Sequence, residues 1–137
     1  MTCELCDEPG GDVWWTDDLM RVVHVADNDH PGTCRVIANR HVKECTDLTP
    51  IERASIMNAV FAVETAMRAV LSPDKVNLAS LGNLTPHVHW HVIPRFEDDP
   101  HFPSPVWTGP LRPRSAGALD PETLARLKSE IVAALAS

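Results

Sequence analysis

The hydrophobic pattern of the chain predicts paired strands near its N-terminus. Residues 19–26 (LMRVVHVA) are rich in β-branched side chains, and residues 33–37 (TCRVI) repeat this pattern after a turn cluster at 27–32 (DNDHPG). β-Branched side chains pack well on a pleated sheet, whereas Gly, Pro, Asn and Asp mark turns. The two segments therefore predict an antiparallel hairpin.

A long helix is predicted to begin after Thr49. Thr49 can cap the helix, Pro50 suits its first position and Glu52 completes a capping box. The helix should run to about Leu71, before Ser-Pro-Asp at 72–74. Because its polar stripe is narrow, we expect cover on two sides, from the sheet and from a partner subunit. One deep groove within a monomer is the alternative.

Two further strands and a last helix follow in the pattern. Residues 75–81 (KVNLASL) and 87–93 (HVHWHVI) read as strands, and Pro94 is expected to end the second. The Pro-rich segment 94–113 predicts a surface loop, and a helix with one apolar stripe should begin at 120–122. The predicted fold class is α+β, an antiparallel sheet with one long helix and a C-terminal helix.

Composition and charge narrow the possible partners. The 137 residues are the size of one domain, and 12 basic against 19 acidic residues give a net charge of −7. This charge argues against non-specific nucleic-acid binding, although it allows a small nucleotide in a local pocket. No apolar stretch approaches the roughly 20 residues that span a bilayer, and the acidic N-terminus is unlike a signal peptide. We therefore expect no membrane partner and a cytoplasmic location.

The cysteines should then be thiols or metal ligands, since disulfides are rare in the cytoplasm. The four are Cys3, Cys6, Cys34 and Cys45. Cys34 and Cys45 are interpreted as small buried or half-buried residues. Cys3 and Cys6 form a CxxC, which alone fits a redox pair, half of a zinc site or coincidence.

Three histidines alternate in the strand at 87–93. Side chains of a strand alternate between faces, so His87, His89 and His91 share one face and the apolar spacers take the other. Three imidazoles are poor core material, because each ring needs a hydrogen-bond partner. They could be half-exposed structural residues, ligands of one metal ion, or a site where one imidazole is a nucleophile tuned by its neighbours. Consecutive i, i+2, i+4 side chains diverge, which disfavours the metal centre.

The run from His87 to Ile93 has the form His-φ-His-φ-His-φ-φ, with φ apolar, and it resembles the histidine-triad (HIT) family. Pro94-Arg95 after it, Gly82-Asn83 before it and the order of hairpin, helix and strands also resemble this family, over residues 3–107. The resemblance implies a HIT domain at 1–110 that pairs as a homodimer. Residues 111–137 would be a C-terminal extension with a helix, packed on the domain or the dimer.

The resemblance also implies an activity. The protein would be a hydrolase or transferase acting at the α-phosphate of a nucleoside phosphoramidate, a dinucleoside polyphosphate or a similar nucleotide. His89 would attack phosphorus to form a nucleotidyl-histidine, His91 would contact the phosphate or serve the leaving group, and no catalytic metal is required. An ordinary imidazole pKa of about 6.5 leaves a neutral nucleophile near pH 7. The phosphate pocket would contain Gly82, Asn83 and Thr85.

Hydrophobic strand residues at 23–25 and 36 could form the wall of a base pocket. Two positions depart from the family pattern: Thr33 replaces a further histidine, and Leu84 replaces a Ser or Thr. Two other functions stay open. One is a nucleotide-binding module with little turnover, and the other is a metal-dependent hydrolase that uses the histidines as ligands.

The same resemblance implies that the CxxC is part of a metal site. Several triad proteins, and the related galactose-1-phosphate uridylyltransferases, complete an N-terminal CxxC with a His after the hairpin and with the first triad His. Here these residues are Cys3, Cys6, His41 and His87. The resemblance thus implies a structural zinc, with an unmetallated thiol pair as the alternative.

The remaining histidines and tryptophans carry weaker signals. His24 is expected to pack within its strand, His30 to be solvated in a turn, and His101 could reach the site from the Pro-rich loop. Trp107, like Trp14 and Trp15, could stack on a base, but a core or dimer contact is the favoured interpretation.

Overall fold

A five-stranded antiparallel sheet places the histidine strand between two neighbours. The computed structural model describes residues 2–113 and 117–136. The strand order is β1-β2-β3-β5-β4. In chain order the elements are α1 (Glu4–Asp7), β1 (Asp12–Thr16), β2 (Met20–His24), β3 (Cys34–Ala38), a 3-10 turn (Cys45–Asp47), α2 (Pro50–Leu71), β4 (Lys75–Ala79), β5 (His89–Arg95) and α3 (Pro121–Ala136).

The predicted hairpin is confirmed, and the sheet has one strand more than the pattern indicated. β2 and β3 pair from Met20↔Ala38 to His24↔Cys34. β1 adds to β2 with an irregularity between Val13 and Trp15. The sequence gives little signal for this strand because the bulge breaks the period-2 alternation.

The expectation that Pro94 ends the histidine strand is wrong. β5 continues to Arg95, with Pro94 opposite Val76 on β4. On the other side the β3 ladder ends at Val92, so β5 has one hydrogen-bonded neighbour at Pro94. Pro is tolerated in a strand where no donor is needed on one side. The strand also starts two residues later than expected, at His89.

Helix α2 begins as its sequence predicts. The Thr49 hydroxyl accepts the Glu52 backbone N–H, and the Glu52 carboxylate accepts the Thr49 N–H. The side of α2 that faces away from the sheet is covered by α3 of the same chain, where a partner subunit was expected. Leu127 and Ile131 of α3 are fully buried in the core that α2 forms with the sheet. By length and hydropathy alone, with a mean hydropathy of 1.3 in its most apolar window, α2 is long and apolar enough to cross a membrane. Its buried residues pack against the sheet and α3.

The two faces of the sheet have different cover. Val22, Val36 and Val92 pack in the core under α2. The opposite face, called here the histidine face, carries the side chains that alternate with these: Arg21, Val23, Arg35, Ile37, His89 and His91.

Residues 3–10 fold over one part of the histidine face. Leu5 packs on Val23 and Ile37, and the Arg21 guanidinium donates to the carbonyls of Leu5 and Pro9. A Cβ at Gly10, where φ is +88°, would lie 2.8 Å from Ile37 Cδ1. Val23 is thus covered and Val36 belongs to the core, so neither of these two side chains forms the wall of an open base pocket.

Candidate active site and metal cluster

His89 is held in one tautomer by the backbone of its neighbour in the triad. Its Nδ1 lies 2.6 Å from the His87 carbonyl oxygen. Because a carbonyl oxygen only accepts, Nδ1 must carry the proton, and in the neutral ring Nε2 keeps the lone pair. The side chain is 9% exposed. The imidazole is therefore oriented as a nucleophile through Nε2.

His91 lies beside His89 on the histidine face. The two ring centroids are 5.0 Å apart, with planes at 76°. Burial, followed by the charges of His89 and Arg35, lowers the pKa of His91 to about 4. At neutral pH this ring is uncharged and offers one N–H donor.

Two neighbours of His91 were not assigned to the triad from the sequence. Arg35 was not considered, and a core or dimer contact was favoured for Trp107, which is 53% exposed in the chain and does not belong to its core. Arg35 faces His91 across the β3–β5 pairing, and its Nε has no hydrogen-bond partner within residues 2–113 and 117–136. Trp107 lies edge-on to His91 at 5.0 Å between centroids. The alternation of β3 could have placed Arg35 on this face, but nothing local connects position 107 to the triad.

His87 belongs to a different group of side chains. Its Nδ1 lies 3.4 Å from Cys3 Sγ, 3.5 Å from Cys6 Sγ and 3.3 Å from His41 Nδ1. Cys6 Sγ lies 3.3 Å from His41 Nδ1, and all four ligand atoms fall within 4.8 Å of one another. Cys3 precedes α1 and Cys6 lies in it, so one helical turn brings both thiols to the same side. The four residues predicted as zinc ligands are brought together.

The spacing of these four atoms suits a tetrahedral ion. Zinc–sulfur and zinc–nitrogen bond lengths imply S···N distances of about 3.6 Å and N···N of about 3.4 Å. The observed contacts are within a few tenths of an ångström of these values. The remaining nitrogen of His87, Nε2, donates to the Ala38 carbonyl at 2.6 Å, as ligating histidines usually do.

The predicted phosphate loop is only partly assembled around His89. Gly82 has φ +78° and shares a pocket of about 260 Å³ with His87 and His89. Asn83 is exposed, and Thr85 lines a separate cavity beside Cys3 and His41. Leu84, which replaces the family hydroxyl, is 96% exposed. Gly82 is thus the member of the predicted set that lies beside the nucleophile.

His30 and His101 form a buried pair away from the triad. His30 is 3% exposed, so the expectation of a solvated residue is wrong. Its Nε2 lies 3.0 Å from His101 Nδ1. Asp99 contacts both, and its carboxylate accepts from Arg95 and from the His101 N–H. His101 therefore fastens the Pro-rich loop, and residues 99–101 of that loop are buried rather than at the surface.

The other residues with weak signals lie where the sequence indicated. His24 stacks on Trp14, with centroids 4.8 Å apart and planes at 6°. Cys34 is buried and Cys45 half-buried. None of these four residues belongs to the triad.

Comparisons with known proteins agree with this geometry. Residues 8–98 match the HIT domain family. The chain is 35% identical over 74 residues to the asymmetrical bis(5'-nucleosyl)-tetraphosphatase of Schizosaccharomyces pombe, covering 50% of this chain and 41% of that protein. It is 32% identical over 79 residues to the AP-4-A phosphorylase of Mycobacterium tuberculosis, covering 53% and 40%. The chain thus spans less than half the length of these relatives.

Solved structures share the fold over nearly the whole chain. A histidine triad protein of Bradyrhizobium japonicum superposes with a TM-score of 0.74 at 26% identity, covering 93% of this chain and 92% of that one. A zinc-bound histidine triad family protein of Mycobacterium smegmatis superposes with a TM-score of 0.66 at 20% identity, covering 97% and 95%. At that identity the second likeness shows the fold alone.

Proposed function

Because this chain belongs to the HIT domain family over residues 8–98, we propose that it is a nucleotidyl hydrolase or transferase acting on dinucleoside polyphosphates. The names of both curated relatives support this substrate class, since one is a tetraphosphatase and the other an AP-4-A phosphorylase. The observation that carries the proposal is the hydrogen bond from His89 Nδ1 to the His87 carbonyl, which leaves Nε2 as an unprotonated nucleophile.

The reaction proceeds through a covalent intermediate on His89. Nε2 attacks the α-phosphorus, a P–N bond forms, and the P–O bond to the remaining phosphates breaks, with its electrons going to the leaving oxygen. Water or inorganic phosphate then attacks the same phosphorus, the P–N bond breaks, and Nε2 regains its lone pair. A P–N bond to a cationic imidazole ring makes histidine a good leaving group in this second step.

The neutral state of His91 favours a polyphosphate as leaving group over an amine. Its lowered pKa, about 4, leaves an N–H that donates a hydrogen bond but no imidazolium that protonates. A departing phosphate has a second pKa near 6 and leaves as an anion at pH 7. An amine expelled from a phosphoramidate needs a proton. Arg35, opposite His91, supplies positive charge for the phosphate oxygens.

The geometry disfavours the triad as a metal centre. His87 points its Nδ1 to Cys3, Cys6 and His41, while Nδ1 of His89 donates to the His87 carbonyl. The three imidazoles therefore do not face one point. A metal-dependent hydrolase would lose turnover with EDTA, independently of fold, and regain it with added metal.

Trapping the intermediate tests the proposal directly. Enzyme mixed with diadenosine tetraphosphate labelled in the α-phosphates is quenched in base and analysed by mass spectrometry. We expect one adenylyl group that is stable in base and labile in acid, as a phosphoramidate bond is. The His89→Ala variant should form none.

A second histidine of the same sheet provides the control. His24→Ala makes the same substitution at a residue stacked on Trp14 and outside the triad. This variant should form the adduct as the wild type does. Binding of the nucleotide with no adduct and no turnover in wild type would instead identify a nucleotide-binding module.

We further propose that Cys3, Cys6, His41 and His87 hold a structural zinc ion. Two thiolates and two neutral imidazoles neutralise the ion, and the distances fit a tetrahedron. When bound, zinc would join residues 3–6 to His87, two residues before β5. Its role in catalysis would be indirect, because the His87 carbonyl orients the His89 ring.

Metal analysis tests the zinc site. Native protein prepared without chelator should contain one zinc per chain, and Cys6→Ser should contain far less. Cys45→Ser changes a half-buried thiol outside the cluster and should keep the full amount. Folded wild type with well below one equivalent would contradict the proposal.

A homodimer is proposed as the assembly. Phe61 and Ile51 are exposed apolar side chains on α2. Exposed apolar groups are surfaces that a second copy can cover. Sedimentation equilibrium should give twice the 15.1 kDa chain mass, and a monomer at micromolar concentration would contradict it.

A further inference from the structure

A cavity of about 610 Å³ opens beside His91 at the edge of the sheet. One side is formed by strand residues and the other by the Pro-rich loop, with Asn77, Ala79, Ile93, Pro105, Val106 and Trp107 among the lining residues. Ala79 is the β4 partner of His91, so the cavity begins at the triad. Its volume falls in the range of small-molecule sites.

Trp107 is an exposed aromatic residue between the triad and the cavity. Trp107 is 53% exposed, although tryptophan, a large apolar residue, usually buries most of its surface. One edge of the indole contacts the His91 ring, and the side chain also lines the cavity. Exposed aromatic rings at binding sites can stack on any nucleobase, because every base has a π-face.

The loop that presents Trp107 is fastened on both sides of the residue. Arg95 donates to the Ser104 carbonyl at 2.8 Å, and Arg112 donates to the carbonyls of Asp99 and Phe102. Thr108 bonds back to the Pro105 carbonyl. A ring held in place before binding loses little entropy on binding, so the indole is a preformed surface.

We propose that this cavity holds the nucleoside of the leaving group, with its base packed on Trp107. The proposal rests on the proposed function and adds that the enzyme selects a second nucleoside beyond the phosphates. From His89 to His91, and from His91 to Trp107, the ring centroids are 5.0 Å apart at each step. A polyphosphate chain extending from the phosphorus past His91 therefore brings its far end to the indole.

Two substrates that differ only in this nucleoside provide the test. Diadenosine tetraphosphate has it, and adenosine 5'-tetraphosphate does not. The readout is the ratio of their kcat/KM values, so that any effect of position 107 on His91 changes both values and cancels. Base–aromatic stacking worth about 1–3 kcal/mol corresponds to a change of roughly tenfold or more.

The variants separate stacking from simple packing. In Trp107→Leu, the preference for diadenosine tetraphosphate should fall at least about tenfold, whereas Trp107→Phe keeps an aromatic ring and should retain most of it. Equal losses on both substrates would overturn the proposal, because they mean that Trp107 supports His91 or the transferred nucleotide. No loss on either substrate would also overturn it.

Two further measurements separate this proposal from the proposed catalytic function and from the alternative that the cavity is a contact between two copies of the chain. In His89→Ala, which cannot form the adduct, calorimetry should show tighter binding of diadenosine tetraphosphate than of adenosine 5'-tetraphosphate, and Trp107→Leu should remove the difference. This holds even if wild type turns over neither substrate, a result that would refute the proposed function alone. A change of sedimenting mass in Trp107→Leu, with no change in binding, would assign the cavity to contact between copies.

Discussion

At the scale of single residues, the triad histidines differ because their partners differ. His87 faces two thiols and a second imidazole, and its carbonyl fixes the proton on His89. His91 faces Arg35 and Trp107 and is kept neutral by burial. One backbone atom thus connects the cluster of cysteines and histidines to His89, the proposed nucleophile, and His91 lies beside it.

The lowered pKa of His91 predicts a pH dependence of stability. A group with an unfolded pKa near 6.5 and a folded pKa of about 4 binds protons better when unfolded. Stability is therefore full above pH 6.5 and falls as the pH drops through about 4. Urea denaturation of the wild type should show this fall from pH 7 to pH 5.

Replacing His91 with a residue that does not titrate measures how much of this pH-dependent loss of stability comes from His91. In His91→Gln, the free energy of unfolding should decline less steeply between pH 7 and pH 5, whatever its value at pH 7. His24 and His30 also have pKa values lowered first by burial, so a smaller fall should remain. Equal slopes in variant and wild type would count against the buried, neutral His91.

At the scale of elements, the histidine strand and the long helix follow different rules. α2 begins at its own capping box, which needs only residues 49–52. β5 depends on its neighbours, since it passes through Pro94 only because β3 ends at Cys34↔Val92 while β4 continues. Helix boundaries are thus local, and strand boundaries are set by pairing.

Removing the cap of α2 should lower stability without altering chemistry. Thr49→Ala removes the side-chain acceptor for the Glu52 N–H, and loss of such a cap typically costs about 1 kcal/mol. Chemical denaturation measures the change, and kcat/KM should stay within twofold because the helix start lies outside the triad. Thr65→Ala, an exposed change within the same helix, should be neutral or slightly stabilising.

At the scale of the whole molecule, the N-terminal segment and the loop after β5 both return to the histidine face. Residues 3–10 cover Val23 and Ile37, and the loop after β5 brings Trp107 to His91. Asp99 organises that loop, since its carboxylate accepts from Arg95 and from the backbone N–H groups of His101 and Phe102. Burial alone would raise the pKa of Asp99, but these hydrogen bonds outweigh it and lower the pKa.

Neutralising Asp99 should loosen the loop as a unit. Asp99→Asn leaves Arg95 without its buried counter-charge, and breaking such a pair costs about 3 kcal/mol. The free energy of unfolding should fall by about this amount, and amide hydrogen exchange should speed up in residues 101–108. Asp18→Asn makes the same change at an exposed carboxylate outside this loop and should cost less than about 0.5 kcal/mol. Similar losses in both variants would show that Asp99 is not the organising residue.

The sequence by itself determined what depends on near neighbours. The turn at 27–32 and its flanking β-branched residues specify the β2–β3 hairpin, and Thr49 with Glu52 specifies the start of α2. Strand alternation places His89 and His91 on one face. These features rest on periods and caps that a few consecutive residues satisfy.

Only the tertiary structure decided what joins distant residues. Cys3 meets His87 across 84 positions and His30 meets His101 across 71, so a turn-like sequence around His30 gave no sign of its burial. The cysteine and histidine ligand set could be named from resemblance, but its closure needed the fold. Trp107 reaches His91 because an irregular loop returns to the sheet, and no local periodicity encodes such a path.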